Sequence, residues 1–234
     1  MTWLAYLLAF LSLPTLGLAL FCWRRRHLAV ALPLASLSLC IALTLIFSTL
    51  FAHFSLAAEI SDPTQALAQI LFWSGWLTIA VTAVICSTLW LVLNWRPLPW
   101  TASWQRLLAA SLVLLFLTHA YLCLFRLELL TESIDYDLLS HLLLFQLTVL
   151  GKLSAAIFGL IQLAGLSWLL LNWIQSSSPS QRQQARWLLL SLSSPLIVVG
   201  FLFLPAQLRA VALLYFVPWL LASMPFLIAW MLFR

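Results

Sequence analysis

The chain has 234 residues, 65% of them hydrophobic and only 7% charged, with a formal net charge of +5. A soluble domain covers itself with roughly a quarter of charged residues, and disorder requires low hydrophobicity. Both classes are excluded, which leaves a lipid bilayer as the expected solvent.

A helix rising ~1.5 Å per residue needs about 20 mostly apolar residues to cross a hydrocarbon layer of ~30 Å. Uncharged runs of that length predict seven spans, at 3–23, 28–51, 67–93, 107–125, 138–173, 187–204 and 210–233. The fold class expected is therefore all-α: a polytopic transmembrane helical bundle filling one integral membrane domain over 1–234. A closed barrel is the other way to satisfy backbone groups in lipid. Its strands alternate apolar and polar residues, and a run such as LVLLFL at 112–117 does not alternate.

The first run is followed, not preceded, by Arg24, Arg25 and Arg26. A cleaved signal carries its positive charge ahead of the apolar stretch, so this run reads as a retained helix with its N-terminus exported. Arg96 and Arg106 then fall between spans three and four, Arg182 and Arg186 between five and six, and Arg234 after seven. Arginines near span ends mark the cytoplasmic side, and these eight all belong to one side. The other side has Arg126 and Arg209, with all six acids: Glu59, Asp62, Glu128, Glu132, Asp135 and Asp137. The expected orientation is N-terminus outside and C-terminus cytoplasmic, in a bacterial cytoplasmic (inner) membrane. Indole rings favour interfaces, and Trp23, Trp90, Trp95, Trp100, Trp104, Trp168, Trp173, Trp187 and Trp230 all fall near the predicted inner boundary. The positive net charge is read as topology determinants facing anionic lipid rather than a nucleic-acid surface.

Ionisable groups within lipid are costly, so each is a candidate site. His119 is predicted near mid-membrane in span four, while His53 closes span two and His141 opens span five. Together they form a candidate cofactor site in the outer half of the bundle. Imidazole suits haem iron, copper or zinc, but no spacing places two histidines on one helix face. The alternative is that His119 hydrogen-bonds across a helix interface and the other two sit at the wet boundary. Lys152, the only lysine, lies in the overlong fifth segment. It is either deep in the membrane as a functional charge or, if the span begins near Leu153, at the outer interface with 138–150 along or above the surface. A retinal-type Schiff base there lacks an intramembrane acid as counter-ion.

Asp137 and His141 would share a face if the outer segment were helical. Gly151, Ala155 and Gly159 recur every four residues, a helix-packing stripe that admits a close neighbour. Pro195, Pro218 and Pro225 are expected to kink or interrupt spans six and seven. The four cysteines, Cys22, Cys40, Cys86 and Cys123, lie within spans at different depths and predict no disulfide. The polar stretch 175–186 and the Trp/Pro-rich loop 95–104 read as inner connections, the latter in the interface plane.

No phosphate loop, His-Glu-x-x-His, Cys-x-x-Cys or Gly-x-Ser-x-Gly motif occurs, and no catalytic residue is assigned. The leading expectation is a non-catalytic subunit of a larger membrane complex or a small permease-like component, partnered by the lipid bilayer and another membrane subunit and not by nucleic acid. The alternatives are a haem- or metal-binding redox protein using the outer-half histidines, and a seven-helix sensor that signals through a partner.

Overall fold

The computed structural model describes residues 2–28, 30–57, 63–95, 102–137, 142–193 and 217–233. Seven helices occur among them: α1 (Thr2–Arg24), α2 (Ala31–Ala57), α3 (Pro63–Trp95), α4 (Ala102–Phe125), α5 (Val149–Gln175), α6 (Pro179–Leu192) and α7 (Val217–Phe233). The first five are long and apolar enough to cross a membrane, whereas α7 contributes a shorter apolar stretch, Trp219–Trp230. Most of the predicted sixth span, and the start of the seventh, fall on 194–216, outside the described residues. What is seen of α6 is an amphipathic helix that starts earlier than the apolar run, at Pro179, with a polar first half.

The fifth helix differs from its expectation of 138–173. It begins at Val149, and Leu142–Leu147 instead forms a strand, β2, antiparallel to β1 (Thr131–Asp137). Thr148 marks the boundary. Its backbone is extended and its hydroxyl accepts a hydrogen bond from the Gly151 N–H at 3.0 Å, the usual way an N-cap satisfies an orphan donor. Asp137 pairs with Leu142 at the end of the two-stranded ladder, so the helical spacing proposed for Asp137 and His141 does not apply; His141 itself lies outside the described residues. Before the hairpin, a single 3-10 turn (Leu127–Leu129) carries the exposed Arg126–Glu128 ion pair at 2.8 Å. The Glu128 backbone N–H, together with Arg126, favours the charged carboxylate and holds its pKa below the ordinary value.

The helices pack around α2, which touches α1, α3 and α7. Leu34, Leu37, Ile41 and Leu45 run along it at i, i+3, i+4 intervals and are almost fully buried. Leu91 and Val92 of α3, Leu169 of α5, Leu188 and Leu192 of α6, and Met224 and Ile228 of α7 close the core. Many of these sit where α1, α3 and α5 end, so the tightest packing lies toward the arginine-rich side. Trp23, Trp90, Trp104, Trp187 and Trp230 ring that end with their side chains exposed.

Hydroxyls inside the spans mostly bond the carbonyl one turn back, as Thr15, Ser38, Thr44, Thr82 and Thr88 do. That removes the cost of a bare donor in an apolar medium. Pro218 occupies the first turn of α7, where no i−4 hydrogen bond is lost, and only Pro225 lies in its interior. Pro195 is outside the described residues.

Gly151 is buried because the Leu130 backbone carbonyl lies directly over it, and any Cβ there would collide with that oxygen. Thr148 secures the same junction: its N–H donates to the Leu130 oxygen at 3.1 Å and its hydroxyl to the Leu129 oxygen at 2.5 Å. Gly151→Ala is therefore expected to destabilise the fold by roughly 1–3 kcal/mol, the usual range for overpacking. Gly17→Ala is the control, since nothing lies within 4 Å of its Cβ position; it should be neutral or stabilising by about 0.5–1 kcal/mol. Thermal unfolding in detergent distinguishes the two.

Candidate functional site

Helix α4 is packed through a narrow strip. Between residues 103 and 125 its buried side chains are His119 and Cys123, 8% and 2% exposed. They are four apart, so a helix places them on one face. Two neighbours meet them there. From α5 come Ser154, whose Oγ lies 2.8 Å from His119 Nδ1, and Phe158, which meets the imidazole edge-on at 5.0 Å between centroids. From α3 comes Gly75, whose missing Cβ lets that helix settle onto the Cys123 carbonyl; an added Cβ would stand 2.7 Å from the oxygen. The second imidazole nitrogen, Nε2, is 3.5 Å from Cys123 Sγ.

The chemistry of this node follows from its partners. A neutral imidazole offers one donor and one acceptor, while hydroxyl and thiol can each play either part. Both nitrogens are therefore satisfied in either tautomer. Among the described residues, no carboxylate contacts the node. Cys123 and His119 do form a sulfur–nitrogen pair on one helix face, a combination compatible with a soft or borderline metal. Among the described residues, no group of three or more His, Cys, Asp or Glu could hold a metal ion. Of the other two histidines proposed for the site, His53 is on α2 with its side chain outside the described residues, and His141 is outside them altogether.

Lys152 stands in the first turn of α5, exposed, with its backbone N–H bonded to the Thr148 oxygen at 2.9 Å. Helix α5 begins three residues before Lys152, at Val149. The small-residue stripe divides. Gly151 is covered by the Leu130 turn, whereas Ala155 is exposed and Gly159 has nothing within 4 Å of its Cβ position. Gly75 and Ser154 were not singled out in the sequence. A glycine beside Ser74 in an apolar helix is a weak signal, and Ser154 resembles every other serine until α4 is placed against it.

Among the described residues, three further interhelical polar contacts lie away from this node. Ser36 and Cys40 of α2 both approach Ser87 Oγ of α3, at 3.0 and 3.5 Å. Gln162 of α5 donates through Nε2 to the Leu192 carbonyl of α6 at 2.8 Å. An apolar cleft of about 410 Å³ opens between α3 and α4, with Cys86, Trp90, Ala109 and Phe116 in its walls. Compared with known protein families, curated proteins and solved structures, the chain matches none of them.

The His119–Ser154 contact is testable as a pair. Ser154→Ala should cost about 1 kcal/mol and His119→Ala roughly 2–4 kcal/mol, because the larger truncation also opens a cavity beside Phe158. A double-mutant cycle read by unfolding in detergent should give a coupling of about 0.6–1.7 kcal/mol. Strict additivity would remove the hydrogen bond from the account.

Proposed function

We propose that this chain is a non-catalytic integral membrane protein that serves as a subunit of a larger membrane complex or as a small permease-like component. In this reading it has seven spans, with the N-terminus outside and the C-terminus in the cytoplasm of a bacterium. The observation that carries the proposal is the uneven covering of its helices. Within the chain 56% of the α2 span is buried, against 28% of α5 and 11% of α4. Lipid can cover such surface. Small residues left open on α5, namely Ala155 and Gly159, also suit the close approach of another helix, since membrane helices associate chiefly by packing and hydrogen bonding. The node at His119 fits the same reading: a buried, fully bonded imidazole holds α4 to α5 and leaves their outer faces available.

A second reading is a haem- or metal-handling protein built on His119. The Cys123–His119 pair favours it, with His53 or His141 as the further ligands. It requires the imidazole to give up one of its present partners, because a metal must take a nitrogen lone pair. An absorption spectrum and elemental analysis of purified protein decide between the two. A haem band, or stoichiometric metal lost on His119→Ala, establishes the second reading; their absence leaves the first.

For the leading reading, two measurements are expected to agree. Reporter fusions should place 175–178 and 128–137 in different compartments, with 175–178 cytoplasmic. Mild-detergent extraction followed by mass measurement should give a particle larger than one chain in its detergent belt. A lone monomer in native membranes would count against the subunit role.

A further inference from the structure

Where α5 ends and α6 begins, the chain forms a cleft of about 510 Å³. Arg182 and Arg186, four apart on α6, share a face and both line it, with Ser177, Pro179 and Gln183 beside them and Trp173, Trp187 and Leu190 also in its wall. The two guanidiniums are spent differently. Arg182 donates through Nη2 to the Ser176 carbonyl at 3.1 Å. Arg186 is exposed and has no hydrogen-bond or ion-pair partner among the described residues. By contrast, Arg25 and Arg26 lie over the rings of Phe21 and Trp23 at 4.7 and 5.7 Å.

Among the described residues, no carboxylate lines the cleft. Glu128, Glu132, Asp135 and Asp137 precede the far end of α5, a helix about 40 Å long at 1.5 Å per residue. Glu59 and Asp62, between α2 and α3 in sequence, are outside the described residues. The Ser178 hydroxyl faces Ser180 at 2.9 Å instead of capping the N–H groups of α6, so the positive end of that helix adds to the field. One wall of the cleft is apolar, formed by Trp173, Trp187 and Leu190, and exposed Leu170, three residues before Trp173, extends its face along α5. Cationic donors above an exposed apolar track fit an amphiphilic anion better than an inorganic one.

We propose that this cleft binds the phosphate headgroup of an anionic membrane lipid, with Arg186 and Arg182 as the phosphate donors, Trp173 and Trp187 as interfacial walls, and the acyl chains lying along α5 and α6. The site goes beyond the role proposed above but rests on the chain being in a membrane. A planar guanidinium grips phosphate oxygens through two donors at once, and basic pockets at membrane helix ends are where such headgroups are held.

The test is lipid retention by purified protein in mild detergent, measured by native mass spectrometry against added phosphatidylglycerol and phosphatidylcholine. Wild type should retain phosphatidylglycerol selectively. Arg186→Gln should weaken it about fivefold, and the double change Arg182→Gln, Arg186→Gln roughly thirtyfold. Arg106→Gln, which removes one exposed charge outside this cleft, should have no such effect. Because Arg182 also braces the 176–178 turn, Arg186→Gln is the decisive variant, with Arg186→Lys expected to lose less. Equal retention of the two lipids, an equal loss from Arg106→Gln, or displacement of the lipid by inorganic phosphate would each overturn the assignment. Release of the chain from membranes by alkaline carbonate would instead remove the membrane reading beneath it.

Discussion

In a hydrocarbon solvent a leucine gains little by leaving lipid for a neighbouring helix, so apolar burial alone cannot decide which helices associate. The polar groups can. Each must find a partner inside the protein or remain bare at a cost of several kcal/mol. This chain first spends most of its hydroxyls on its own helices and then keeps a few for use between them. Ser87 joins α3 to α2, Ser154 joins α5 to α4 through His119, and Gln162 joins α5 to the end of α6. Close packing then completes each seam, through Leu34, Leu37 and Ile41 in the core and through Gly75 where α3 meets the Cys123 carbonyl.

The two ends of the bundle are built by different rules. On the arginine-rich side the core is densest and the tryptophans ring it, with guanidiniums set on aromatic faces or left open at the α5–α6 cleft. The other described end holds Glu128, Glu132, Asp135 and Asp137 and the β-hairpin, whose backbone hydrogen bonds are met by pairing two short strands and by seating the Leu129–Leu130 turn on the start of α5. Both arrangements follow from one need, since chain leaving the bilayer must satisfy its backbone either with water or with itself.

The spans were readable wherever composition alone decides them. Runs such as 31–50 and 107–125 are mostly apolar and contain no charged residue, and helices are found there. Over 142–147 a strand stands where a helix was expected, for a physical reason: LLLFQL suits a buried helix and a strand equally well, and periodicity cannot separate short apolar runs. What separated them was Thr148, a cap whose role appears only once Gly151 stands above it. His119 was recognisable as a costly intramembrane group, but its partners were not, because Ser154 and Gly75 have no signature until three helices are placed side by side.

The contacts of α7 carry a consequence for biosynthesis. It packs against α1 and α2, which are completed long before it is made. The faces of α1 and α2 that receive it must wait in the membrane while the intervening helices are synthesised. Ribosomal order and packing order thus diverge, and the nascent chain depends on lipid, or on an insertion factor, to occupy that seat until its own last helix arrives.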